Sequence, residues 1–347
     1  MIKKDNHYVS DMYLKAWTGG GGVLQAYRVL VSHANESVWK QRSPKAVAYH
    51  RHLYTRMAAG GETDDVETWF ETDFETPAGK PFQRALHDRS LTPREWGCIV
   101  RFLAAQDART PARMFERLRN WNETMPAFLN ECLEDTVKEL EEYSRTGKKV
   151  PKLRAADDPD LFPMRTIVSP GSEVGHVCIR TDATIGRSLW LWSLKQILTR
   201  TLHVLHRHRW TILRSPPGIE WLTSDNPVIR LNYSSPASYN FQGGWGSPGT
   251  EILMPLSPTH LLYTRIGAKS VPARGTVMSN NFATQIRRFT VENAHRYVFS
   301  RIVDVDVPAW RPRTVDNAAC RAEREFWESW NAKQVEAERA ILRSTGV

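Results

Sequence analysis

The apolar positions of this chain repeat with two periods, and the change from one to the other divides it. In "HYVSDMYLKAW" (7–17), Val9, Met12, Tyr13, Ala16 and Trp17 recur at three- and four-residue spacings, which predicts a helix with Ser10 capping its start. "GGGG" (19–22) breaks it and leads into strand-like "VLQAYRVL"; no Gly-Lys-Ser/Thr follows, so a turn is predicted and not a phosphate loop. Residues 62–87 are helical in pattern, interrupted at Thr76-Pro77, where Thr76 can cap a new helix. "TPRE" (92–95) is a stronger start: Thr92 caps, Pro93 takes the first helical position and Glu95 can close a capping box. That helix is predicted to reach Ala108, and Thr110-Pro111 opens a second one reaching about Tyr143. An exposed, mobile connection is predicted over 144–162, and a strand at "VGHVCIRTD". Between 185 and 206, Leu189, Trp190, Leu194, Ile197, Leu198 and Leu202 form a broad apolar face, the mark of a buried helix.

Past residue 208 the pattern shortens to strands: "RWTILRS", "EWLTS", "EILMPLS", "HLLYTRIG" and "RYVFSRIV", the first two joined as a hairpin by "SPPG" (215–218). Helices are predicted at 280–294 and at about 314–343. The expectation is an α+β chain: a helical first two-thirds (1–208) packed on a mainly antiparallel sheet over 209–305, closed by a C-terminal helix, in one compact domain.

Composition adds a few constraints. No apolar run is long enough to span a bilayer and "MIKKDNHYVS" lacks a signal-peptide core, so a cytoplasmic protein is expected. Cys98, Cys132, Cys178 and Cys320 form no C-x-x-C pair, which argues against a zinc ribbon or a disulfide framework. The net charge of +9 favours anionic partners, nucleic acid or nucleotides, although the basic residues are spread out and the densest cluster, "HVLHRHRW" (203–210), is short. Gly-x-Ser-x-Gly, dinucleotide and kinase signatures are absent, which disfavours those enzyme classes.

The motifs "HYVSDMYLKAW", "HLYT" (52–55), "VETWFETDFE", "FLAAQDARTP" (102–111), "LTSDNPV" (222–228), "ILMPLSP" (252–258) and "NAHRYVFS" (293–300), in that order, resemble the family called domain of unknown function 4238. Ser10 stands where that family has proline, and Trp17 where it has phenylalanine. The resemblance implies a fold and a set of marked positions; it implies no reaction.

Candidate chemistry gathers at five places. Glu67, Glu71 and Glu75 are four apart; like charges at that spacing weaken an isolated helix by roughly 0.2–0.5 kcal/mol per pair, so the stripe is a solvated acidic face or wants arginine or a metal. Gln106 continues the apolar stripe of Trp96, Ile99 and Leu103, and Arg109 lies one turn on; the two suit phosphate or carboxylate recognition, or Arg109 braces the helices by pairing with Asp225 or a stripe glutamate. In "SDNP", Asp225 and Asn226 form a turn or hold polar groups rigidly at a sheet rim, Asp225 as base or metal ligand and Asn226 toward substrate. His7 is a proton carrier or a brace. His203, His206 and His208 end a helix without a third zinc ligand or a general-base glutamate nearby. A restriction-endonuclease pattern from Asp225 to Glu251 is incomplete, because "EIL" lacks the lysine.

Two functions follow as expectations. One is a metal-assisted phosphodiester hydrolase acting on nucleic acid or nucleotides. There His7, Glu75 and Asp225 are catalytic, Glu71, Glu75 and Asp225 hold Mg²⁺ or Mn²⁺, and Gln106, Arg109 and Asn226 bind substrate. The other is a non-enzymatic nucleic-acid or protein binding module of a defence or stress system.

Overall fold

A computed structural model describes residues 2–58, 61–149, 162–170 and 177–344. It is an α+β structure with helices and strands interspersed, not segregated as expected. The largest sheet has five antiparallel strands in the order Thr211–Arg214, His260–Arg265, Glu251–Ser257, Ile229–Ser235 and Ser238–Asn240. A second, four-stranded sheet runs Thr223–Ser224, Tyr297–Ser300, Leu24–Arg28, Trp39–Arg42. Half of that sheet comes from the first 42 residues, in the part expected to be mainly helical, where the strand expected at "VLQAYRVL" does form, at Leu24–Arg28. Its middle pair, Arg28 opposite Tyr297, joins the two ends of the chain. Further strands at Asp5–His7, Tyr49–Arg51, Arg56–Ala58 and Gly61–Thr63 form two small ladders.

"SPPG" does not make a hairpin. Thr211–Arg214 pairs with His260–Arg265, whereas Thr223–Ser224 pairs with Tyr297–Ser300 in the other sheet. Pro216 and Pro217 have no N–H to give a ladder, so the chain crosses between sheets there.

The helix start signals act locally. Thr92 Oγ1 accepts from Glu95 N (3.3 Å) and Glu95 Oε2 accepts from Thr92 N (2.8 Å), closing the capping box ahead of the helix Pro93–Ala108. Thr110 Oγ1 accepts from Arg113 N (3.4 Å) and so caps the long helix Pro111–Thr146, without a reciprocal box. The Thr-Pro at 76–77 starts no separate helix: Asp65–Phe70 and Thr76–Leu86 are joined through a π-helical turn, Glu71–Glu75. Pro77 cannot donate to the carbonyl one turn back, and Arg101 Nη2 reaches the oxygen of Asp73 instead (3.4 Å). Most of the connection expected over 144–162, from 150 to 161, lies outside the described residues. The expected strand at "VGHVCIRTD" is described from Val177 and pairs with Met164–Pro170.

One cluster of buried apolar side chains runs from Tyr8 and Trp17 through Phe102 and Trp190 to Leu253 and Trp330. The C-terminal helix, Asn317–Ser344, is pinned to it by Arg187, whose guanidinium is fully buried and meets both carboxylate oxygens of Glu338 at 2.9 Å. No helix among the described residues is long and apolar enough to cross a membrane.

Candidate functional site

Ser10 heads a short helix, Asp11–Leu14, but its hydroxyl makes no cap. It donates to Glu75 Oε2 (2.9 Å), and Ser10 N donates to Gln106 Oε1 (3.1 Å). Arg109 Nη1 meets Glu75 Oε1 at 2.7 Å, its guanidinium lies 5.1 Å over the Phe70 ring, and its carbonyl accepts from Tyr54 OH. Glu75, Gln106 and Arg109 thus converge, and a stripe glutamate is the partner of Arg109. Gln106 and Arg109 are 0% and 1% exposed, whereas the Glu75 side chain is 26% exposed. Gln106 Nε2 and Arg109 Nε and Nη2 have no hydrogen-bond partner among the described residues. Burial also pushes Glu67 up to about 7, with Arg109 pulling the other way. The π-turn dissolves the expected acidic stripe, because Glu71 faces out and pairs with Lys3.

Asp225 is elsewhere. Its side chain is 1% exposed, and Oδ1 and Oδ2 accept from His295 N and Arg296 N, both at 2.7 Å. The expected pairing with Arg109 does not form: Arg109 pairs with Glu75, and Arg311 is a cation near enough to favour the ionised form of Asp225. Burial pushes Asp225 up to about 6, and its backbone hydrogen bonds oppose that shift. The turn itself is closed by Ser224, whose hydroxyl accepts from Asn226 N. Asn226 and Asn293 then exchange amide-to-carbonyl bonds (3.0 and 2.9 Å), and Thr110 donates to Asn226 Oδ1. So "SDNP" is a bend that clamps "NAHRY", two of the family-like motifs locked together.

His7 stands apart from both clusters, at 3.3 Å from the Lys45 carbonyl and against the Tyr49 ring. Glu71, Glu75 and Asp225 face three different sets of partners, and no three His, Cys, Asp or Glu side chains among the described residues gather as a metal would require. Glu251 lies in the five-stranded sheet, whereas Asp225 directly follows the Thr223–Ser224 strand of the other sheet. His203 and His208 contact the carbonyls of Arg200 and Trp245.

The corner held by Asp225 lines a cavity of about 590 Å³. Its walls are the four-stranded sheet, the segment 46–50, the 295–297 corner and the C-terminal helix. Five cations reach it (Arg28, Lys40, Arg42, Arg296, Arg324) against two carboxylates, Glu36 and Glu323. On one side His50 lies between two rings: Tyr8 at 5.3 Å and 22°, Trp327 at 3.5 Å and 13°. Burial pushes His50 down to about 3 and His295 to about 4, so both imidazoles are neutral at pH 7. None of these wall residues was singled out from the sequence. Yet Tyr8, His295, Arg296 and Tyr297 sit inside "HYVS" and "NAHRYVFS", and polar and aromatic residues at strand ends were the available signal.

The family model described as protein of unknown function (DUF4238) matches residues 5–304. The chain belongs to the DUF4238 family. The DUF4238 match includes Ser10, Glu75, Gln106, Arg109, Asp225 and the sheet side of the cavity. It stops before the helix that supplies Glu323, Arg324 and Trp327. No curated protein and no solved structure matches the chain significantly.

Proposed function

We propose that this DUF4238 protein binds a phosphorylated ligand carrying a heteroaromatic ring, a nucleotide or the end of a nucleic-acid strand, in the 590 Å³ cavity. The observation that carries this reading is the composition of the walls: five cations over two carboxylates beside the Tyr8–His50–Trp327 stack. Guanidiniums suit phosphate oxygens, and the 39%-exposed Tyr49 ring, which also lines the cavity, offers a face to a base. The volume suits one nucleotide-sized group. Asp225, Asn226, Glu75 and Arg109 then act as braces that hold the cavity's frame. The reading implies the cytoplasm, where nucleotides are abundant.

Phosphodiester cleavage is the second reading, favoured by His50 and His295 on the same cavity. In it one imidazole takes the proton of the attacking hydroxyl and the other protonates the leaving oxygen. A bound phosphate favours the imidazolium form and so raises the pKa of both rings, as the proton-donating role needs. This version assigns no role to a Mg²⁺ or Mn²⁺ ion at Glu71, Glu75 and Asp225.

The test is calorimetry with nucleoside monophosphates and short RNA and DNA at low and high salt, with a parallel cleavage assay in Mg²⁺, Mn²⁺ or EDTA. Binding that falls steeply with salt and weakens in Arg42→Ala and Arg324→Ala is expected. No binding at millimolar nucleotide in low salt overturns the proposal. Cleavage in EDTA that is lost in His295→Ala supports the second reading; binding without cleavage leaves a recognition module.

A further inference from the structure

Inside the cavity one anion is already in place, and it belongs to the protein. Glu323, on the C-terminal helix, lies between two arginines: Arg28 Nη2 donates to Oε2 at 3.0 Å and Arg296 Nε donates to Oε1 at 2.5 Å. Each carboxylate oxygen is therefore taken by a different guanidinium. We infer that this notch is a phosphomonoester subsite, and that Glu323 is a stand-in anion which a ligand's terminal phosphate displaces. The inference rests on the reading of the cavity as a site for phosphorylated ligands.

Three features support it. The first is an idle donor. Arg28 Nε is buried and has no hydrogen-bond partner among the described residues. It shares the guanidinium edge of Nη2, the edge that carboxylates and phosphates take bidentately. Glu323 uses only one donor of that edge. A terminal phosphate has three oxygens and so can satisfy Nε and Nη2 of Arg28 together with Nε of Arg296. Its second negative charge is also better matched to two guanidiniums than a single carboxylate charge is.

The second feature is rigidity. Arg28 lies over the Tyr297 ring at 5.7 Å, and its backbone pairs with Tyr297 in the sheet. Arg296 is anchored twice: its backbone N–H is bonded to the buried Asp225, and its guanidinium Nη1 donates to the His295 carbonyl at 3.2 Å. Both guanidiniums are therefore preorganised by the fold, and Glu323 is the member of the trio carried on a separate element. The third is position in the chain. Arg28 and Arg296 lie within the DUF4238 match and Glu323 lies beyond it, so the anion seat belongs to the family portion and its occupant to the added helix.

The experiment compares parent and Glu323→Gln by calorimetry with AMP, adenosine and inorganic phosphate, with melting curves for both proteins. Removing the competing charge should tighten AMP and inorganic phosphate by about ten- to a hundredfold, the worth of one charged hydrogen-bonding partner. Adenosine affinity should not change. A folded Glu323→Gln whose AMP and phosphate affinities are unchanged or weaker overturns the inference, since Glu323 is then a strut and not a competitor. Where Glu323→Gln costs the fold, Glu323→Asp, which withdraws the carboxylate by one methylene, is read the same way. The two proposals fail separately. A parent that binds AMP with no gain in the variant removes the subsite alone. A variant that gains inorganic phosphate but never nucleotide keeps the subsite and removes the nucleotide reading.

Discussion

Replacing Asp225 by alanine tests the joint that ties the bend to the cavity. The carboxylate takes two backbone N–H groups at 2.7 Å, from His295 and Arg296, and is 1% exposed, so water cannot replace it without opening the fold. Hydrogen bonds to a charged acceptor contribute about 1.5–3 kcal/mol each, which brackets the loss at about 3–6 kcal/mol. Against this, burial pushes Asp225 from 3.8 up to about 6. Holding it ionised at pH 7 costs on the order of 2–3 kcal/mol, which alanine relieves. The net expectation is a loss of about 1–3 kcal/mol at pH 7. The sign of the pH dependence follows from the raised pKa. The stability contributed by protonating Asp225 is fully present below about 4 and is lost as pH rises through 6, and the alanine variant lacks it. The gap between parent and variant should therefore widen from pH 7 to pH 5. Urea melts at both pH values measure it, with m unchanged. Ligand affinity should also fall, because the corner carries Arg296, while Leu213→Ala, a comparable loss in the other sheet, should leave affinity intact. A loss below about 0.5 kcal/mol, or a gap that narrows at pH 5, would refute the reasoning.

Glu67, raised by burial to about 7, contributes stability that is present below about 4.5 and lost as pH rises through 7. The parent should lose about 1–3 kcal/mol between pH 5 and pH 8 through this group, and Glu67→Gln should flatten that part of the urea-melt profile. Glu75→Gln removes the anion facing the 1%-exposed Arg109 and should cost about 3–5 kcal/mol, read as a fall in melting temperature, with Arg109→Met in the same background recovering part of it.

Family membership was legible because the motifs are short and ordered along the chain, and "SDNP" read correctly as a bend because Ser224 and Pro227 act within four residues. Gln106 and Arg109 were recognisable as polar residues on a buried stripe. A stripe glutamate was among the partners expected for Arg109, and Glu75 is that partner; the bonds of Ser10 to Glu75 and Gln106 were not recognisable, since Ser10 approaches from a remote segment. Ser10 shows the difference within one residue. Its place before a helical stripe marks a cap, and its hydroxyl and N–H instead serve Glu75 and Gln106, which only packing brings near.

What the amino-acid order decides alone is whatever closes within a turn or two: the Thr92–Glu95 box, the Thr110 cap and the helices they open. The interspersed sheets and the cavity were decided by tertiary structure. Leu24–Arg28 pairs with Tyr297–Ser300 across nearly the whole chain, and neither segment carries a mark naming the other. The cavity's walls come from Tyr8, Arg28, His50, Arg296 and Glu323, five places that are near in space only after that pairing forms. Local patterning records which face of an element is apolar; it holds no record of which remote element will cover it, because that choice is made by the packing of the whole core.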